Sequence, residues 1–284
     1  IWQLDLSTED LSGIFKAEGR HLRDIDVLGN GDIVALGITE PAQILLKKST
    51  ETDFKVVYHG LDTLSFLDGI DFWDDQYGIA FGDPVGDYPY FLLTDNGGKS
   101  WKRVAEQAFS ERMTDYAGFA ASGSSIKCLT NGKAIVGLGN ETAKMMLIQD
   151  MGKSWDLLDV PYHTQPNGSG IYSISFKDDL HGVAVGGHWE NVTCDSSKLF
   201  TEDGGLTWHL SAGMQAYRSC VTYFKDNIYI STGTTGTDIS YDGGKTWELL
   251  DSTGYNAISF NEDGKGVAVG SFGKIELIQL VEND

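Results

Sequence analysis

The 284-residue chain carries 41 acidic against 21 basic side chains, a formal net charge of -20, with 41% apolar residues and 35 glycines beside only 5 prolines. That apolar share supports a folded core and excludes wholesale disorder or a collagen-like fibre, while the negative field disfavours phosphate backbones and anionic membrane surfaces. No nucleic-acid partner is expected, and no apolar run approaches the ~18 residues of a membrane-spanning helix.

The chain opens on IWQLDL at 1–6, which alternates like a β-strand. A recurring element follows, an apolar run, a small turn and a second run ending near glycine: IDVLGNGDIVALG from 25, IDFWDDQYGIAFG from 70 and IKCLTNGKAIVGLG from 126. Three further copies begin at 174, 221 and 258, so the period is about 47 residues. A second element trails the middle copies: TDNGGKSW at 94–101, IQDMGKSW at 148–155, TEDGGLTW at 201–208 and SYDGGKTW at 240–247. KKSTETDF at 47–54 is a worn version with Phe54 in the tryptophan position. Each octet joins two alternating runs and has Asx-Gly turn chemistry, which places it in the hairpin between the third and fourth strands of a four-stranded unit. Asp203 or Asp242 accepts turn N–H groups, the glycines allow positive φ, and the tryptophan packs on neighbouring strands, so the octet reads as a structural clasp.

These octets resemble the Asp-box (BNR-like) repeat, S/T-x-D-x-G-x-S/T-W, of β-propellers in the sialidase superfamily and in photosystem II assembly-factor-like proteins. The resemblance implies an all-β fold. Six repeats predict a six-bladed β-propeller of four-stranded antiparallel blades spanning 1–284 as one domain, with the N-terminal strand completing the last blade. The assembly-factor-like propellers have seven blades, which is the alternative count.

In such a ring, loops entering the innermost strands share a face with loops joining second and third strands, opposite the octets. The entering loops supply Arg23, Arg112, Tyr217 and Arg218, and arginine forks recognise carboxylates; pairing with the surplus acids is their structural alternative. The other loops supply DPVGDYPY at 83–90, with Asp83, Asp87 and Tyr88, and GHWENVTCDSS at 187–197. There His188, Trp189 and Glu190 combine a proton-transfer group, a stacking surface and a carboxylate, a set suited to sugar or peptide recognition.

The sialidase resemblance implies three arginines on a substrate carboxylate with a tyrosine nucleophile and its glutamate. Here no arginine motif precedes the first box and no Tyr and Glu pair aligns. Six histidines show no metal-ligand spacing, Cys128, Cys194 and Cys220 show no CxxC, and no nucleotide fingerprint is present, so neither metal nor cofactor is expected. The reading is a noncatalytic propeller, monomeric, recognising a protein segment or carbohydrate through its loop face; a glycoside hydrolase or lyase acting on an acidic glycan is the alternative. Ile1 at the start fits either a trimmed leader or an arbitrary boundary of the sequence; the trimmed leader implies a secreted or periplasmic location, with surface anchoring as a variant. Asn140, Asn167 and Asn191 begin glycosylation sequons.

Overall fold

Period-two apolar alternation broken by Asx and glycine turns commits the chain to short antiparallel strands, and the computed structural model is all-β apart from three single-turn helices among the described residues. Those residues are 2–7 (backbone alone), 21–38, 41–60, 65–109, 112–140, 142–162, 168–191 and 196–282. His163, Asn167 and Cys194 lie outside them.

Strand β1 (Trp2–Ser7) precedes the first unit, β2 (Leu22–Val27), β3 (Ile33–Gly37), β4 (Gln43–Lys47) and β5 (Lys55–His59). The second holds β6 (Gly69–Phe72), β7 (Gly78–Val85), β8 (Tyr88–Thr94) and β9 (Lys102–Arg103). The third holds β10 (Tyr116–Ala117), β11 (Ile126–Cys128), β12 (Ala134–Asn140), β13 (Lys144–Gln149) and β14 (Ser154–Asp159). The fourth holds β15 (Ser169–Phe176), β16 (Gly182–His188), β17 (Lys198–Thr201) and β18 (His209–Leu210). After β19 (Ala212–Gly213) come β20 (Cys220–Lys225), β21 (Ile228–Gly233), β22 (Gly236–Ser240) and β23 (Thr246–Asp251), then β24 (Ala257–Phe260), β25 (Lys265–Gly270) and β26 (Lys274–Glu282).

The expected set of six separate four-stranded blades, and equally the set of seven, is corrected by the pairing, which gives five sheets among the described residues. The third and fourth units merge into one nine-stranded sheet because β12 pairs with β15 at Gly139↔Gly170 and Asn140↔Ser169. Two glycines make this approach physically accessible: a Cβ on Gly139 would stand 2.2 Å from the Ser169 carbonyl oxygen and 2.5 Å from the Gly170 Cα. The fifth sheet has five strands, since β19 joins β23 in parallel. The sheet order β1-β26-β25-β24 puts the N-terminal strand on the outer edge of the last sheet. A repeat count reads sequence period; it does not see pairing between units.

Apolar cores join each unit to the next. Val34 and Leu36 meet Ile70 and Leu92; Phe81 and Phe91 meet Val136 and Trp155; Ile135 and Leu147 meet Ile174 and Trp208. Val183 and Val185 then meet Val221 and Tyr229, and Ile230 and Ile239 meet Ile258 and Ala268.

The octets form the clasps their residues imply. In 201–208, Asp203 accepts from the Thr207 backbone N–H at 2.9 Å and the Thr207 hydroxyl at 2.6 Å, the Thr201 hydroxyl accepts from the Gly205 N–H at 3.0 Å, and Trp208 Nε1 donates to the Gly205 carbonyl at 3.1 Å. Residues 240–247 repeat this geometry. In 148–155, where Ile148 offers no hydroxyl, Asp150 and Met151 take positive φ, and Trp155 Nε1 still donates to the Gly152 carbonyl.

Candidate functional site

On the end of the ring away from the octets, the last residue of β16, His188, stands opposite Ser169 at the start of β15. The His188 ring is buried, and its Nδ1 accepts the backbone N–H groups of Glu190 and Asn191 at 3.2 and 3.0 Å. This tight reversal pushes Trp189, 57% exposed, and Glu190 out to solvent. His188 Nε2 and Trp189 Nε1 each lie 3.8 Å from the point a Cβ on Gly168 would occupy, so the open face of Gly168, at φ +91°, is where the two rings converge.

An aromatic stack supports the same spot. Phe119 lies on Tyr172 with ring centroids 3.9 Å apart, Tyr217 meets Tyr172 edge-on at 5.1 Å, and the Tyr172 hydroxyl donates to the Gly168 carbonyl at 2.8 Å. Burial pushes the Tyr217 phenol up to about 12 and raises Tyr172 as well, so both are neutral hydrogen-bonding groups at physiological pH. Tyr217 is thus a buried support beneath the loop.

The second unit contributes a carboxyl pair. Asp83, half-buried near the end of β7, accepts the Gly118 N–H at 3.1 Å, and buried Asp68 has an oxygen, Oδ2, with no hydrogen-bond partner. Burial raises both carboxyls above their ordinary range, and the Asp83 charge raises Asp68 further. Asp87 holds Arg112 in an exposed ion pair at 2.9 Å, and Tyr88 is half-buried where β8 begins.

The three nominated arginines have three separate settings. Arg218 is 1% exposed and clamps Asp238 with Nε and Nη2, both at 2.7 Å, while Nη1 donates to the Tyr217 carbonyl and Thr235 hydroxyl. Arg112 is held by Asp87. Arg23 is exposed on β2 and lines a cavity that opens on the ring axis. The structure therefore groups His188, Trp189, Glu190 and Tyr217 in one neighbourhood, and leaves Arg218 engaged inside the fold. Phe119, Tyr172, Gly168 and Asp68 escaped the sequence reading. Phe119 lies in an insertion without periodicity, and Tyr172 reads as a core strand residue; only the pairing of Gly139 with Gly170 brings them together.

Among the described residues no group of three or more His, Cys, Asp and Glu is placed to hold a metal ion, and no helix is long and apolar enough to cross a membrane. What the loop face offers is an exposed indole, two ring nitrogens near an open glycine, and a carboxylate, a combination that stacks on a sugar or peptide plane and hydrogen-bonds its edge.

The family model of the BNR/Asp-box repeat matches residues 238–249. No curated protein matches the sequence. Among solved structures the chain is similar to YCF48 from Cyanidioschyzon merolae, with a TM-score of 0.54 and 15% identity over 98% of each chain. It is similar also to YCF48 bound to D1 peptide, with a TM-score of 0.51 and 15% identity over 99% of this chain and 97% of that one. The WD40 repeats of RRP9 give a TM-score of 0.63 at 11% identity, over 92% of this chain and 80% of that one. The chain thus carries an Asp-box repeat and has a propeller-type fold.

Proposed function

We propose that this protein is a noncatalytic binding propeller that recognises a protein segment or carbohydrate through its loop face. The observation that carries the reading is Trp189, held out to solvent by a turn built on His188 and set beside the Phe119, Tyr172 and Tyr217 stack. An exposed tryptophan on a rigid, buried support meets the ordering cost of binding in advance, which is how aromatic anchors come to dominate interfaces. YCF48, of similar fold, has been captured with a D1 peptide, which supports a peptide as one ligand class. The test is a screen of glycan and peptide arrays with the wild-type protein and Trp189→Ala. Retained ligands should weaken by about 1–2 kcal/mol in the variant, the scale of a truncated aromatic anchor; ligands bound equally by both proteins would place recognition elsewhere.

A second reading, hydrolysis of an acidic glycan, is favoured by one observation, the raised carboxyls of Asp68 and Asp83, which suit a general acid. It predicts turnover of acidic glycans that Asp83→Asn abolishes and Trp189→Ala only reduces. Absence of turnover by the wild-type protein across such substrates removes it.

A further inference from the structure

Phe119 lies between β10 and β11, outside any strand, yet its ring covers the seam where the third and fourth units join: a Cβ on Gly139 or on Gly170 would stand 2.7 Å from Phe119 Cε2. From there it stacks on Tyr172, whose hydroxyl holds the Gly168 carbonyl beside the Trp189 indole. What fixes Phe119 is the backbone on either side of it. The Gly118 N–H donates to Asp83 Oδ1 at 3.1 Å, and the Ala120 N–H stabilises the Asp68 carboxylate. Gly118 also passes so close to Asp68 that a Cβ there would stand 2.3 Å from Oδ2 and 2.8 Å from Phe81 Cε2, so only glycine fits this crossing. Two carboxyls of the second unit, Asp68 just ahead of β6 and Asp83 in β7, thus hold a segment that serves the third and fourth units.

The acid form suits this seat better than the carboxylate. Asp68 is 1% exposed, and among the described residues its Oδ2 has no hydrogen-bond partner, so ionisation in place leaves a charged oxygen with neither donor nor water. Burial first, and the Asp83 charge from β7 second, raise the Asp68 carboxyl; the Ala120 N–H and the charge of Arg23 on β2 pull it down without prevailing. Burial likewise raises half-buried Asp83 against the pull of the Gly118 N–H. A closed seat that binds protons more tightly than an open one is most stable at low pH, and that stability is lost as pH rises through the raised range. We propose that Asp68 and Asp83 are positioning residues for the Trp189 surface, which grip the chain on both sides of Phe119 and release it as Asp68 ionises. The assignment rests on reading that surface as the recognition site, but the grip itself is measured without a ligand.

The experiment is an NMR titration of the whole, ¹⁵N-labelled protein with no ligand present, read at the Gly118 amide and the Trp189 indole N–H. As pH rises past the ordinary aspartate value of about 3.9, the Gly118 amide should lose about tenfold of its hydrogen-exchange protection, corrected for the intrinsic rate. The Trp189 resonance should move over the same step. Asp68→Asn, equal in size and uncharged, should keep Gly118 protected throughout and abolish the Trp189 step. Asp83→Asn removes a charge that raises Asp68 and should shift the step to lower pH without removing it. Gly118→Ala should forfeit the protection at every pH, with circular dichroism melting as the check that each variant folds. A Gly118 amide equally protected across the titration, or one whose step survives Asp68→Asn, overturns the proposal. So does a Trp189 step that survives Asp68→Asn, which assigns it to neighbouring His188. If both steps behave as expected while Trp189→Ala alters no binding on the arrays, the grip stands and the recognition reading alone falls.

Discussion

On β22, Asp238 is met by two cations, Lys198 Nζ and Arg218 Nε, each 2.7 Å away and all three side chains buried. On the inner strands of the first units the proportions are reversed: the charges of Asp71 and Asp26 raise the Asp24 carboxyl, that of Asp71 raises Asp26, and a single cation, Lys127, reaches Asp71 at 2.9 Å. Both clusters are polar groups under β-sheet, but one is closed and the other carries surplus negative charge. The closed cluster buries its charges with their hydrogen bonds made, including Lys198 to the Met214 carbonyl. In the open one, burial keeps carboxyls partly protonated: Asp24 is raised well above its ordinary range, and Asp26 is pushed up to about 6 by burial first and the Asp71 charge second.

The largest effect should come from opening the closed cluster. Asp238→Asn leaves Lys198 and Arg218 buried without a counter-charge, and breaking a buried ionic set in this way costs about 3–5 kcal/mol. Urea unfolding should show a lower midpoint with an unchanged slope; a loss under 1 kcal/mol would mean that water reaches the cluster and that the comparison fails.

Asp26→Asn tests the open cluster in the opposite sense. A carboxyl whose folded pKa exceeds its unfolded value binds more protons when folded, so its contribution to stability is fullest below about pH 4 and is lost as pH rises toward 6. The amide removes that loss. At pH 7 the variant should be more stable than the wild type by about 1–2 kcal/mol, less than the full shift implies because Asp26 is only partly buried, and the decline between pH 4 and 6 should flatten. Lower stability at pH 7 would show that the hydrogen bond the Asp26 carboxylate accepts from the Val27 N–H outweighs the charge.

Much of the fold was legible in the sequence because the octet is a local device. Its carboxylate, hydroxyl and tryptophan interact within eight residues, so Asp203, Thr207 and Trp208 state their roles in the order they occur. The merged sheet was not legible, since Gly139 and Gly170 pair across units and look like any other turn glycines. The site divides likewise. His188, Trp189 and Glu190 are contiguous and were found together, whereas Phe119 reaches Tyr172 from 53 positions away and carries no pattern of its own. Arg218 was read as a loop-face candidate with pairing to a surplus acid as the alternative; the structure pairs it with Asp238, 20 positions on, a partner that no motif marks.

Within the octets the comparison repeats at lower stakes. Asp203→Ala removes the acceptor of three hydrogen bonds, from the Thr201 hydroxyl and from the Thr207 N–H and hydroxyl, and should cost about 1 kcal/mol, as loss of a helix or turn cap does. Burial works against Asp203 and Asp242, but the hydrogen bonds from Thr207 and Thr246 win and lower both carboxyls, so each clasp gains strength as pH rises past the ordinary carboxylate range.

The copy at 94–101 already contains the neutral version of this experiment. Asn96 accepts the Ser100 N–H at 3.0 Å, as the aspartates do from their threonines, but its amide nitrogen donates to the Ser100 hydroxyl at 2.8 Å where the others accept a hydroxyl. Asn96→Asp therefore reverses one hydrogen bond without changing its geometry and makes it charge-assisted, a gain of a few tenths of a kcal/mol at an exposed turn. Lys99 and Lys102 flank the site, Lys102 already approaching Asp95 at 3.7 Å, so the added charge has cations nearby despite the global excess of acid. The midpoint of urea unfolding should rise slightly at pH 7 and return to the wild-type value near pH 3. A fall at pH 7 would show that the field of -20 outweighs local pairing even in a clasp, and would extend the cost of surplus charge from the buried cluster to the surface.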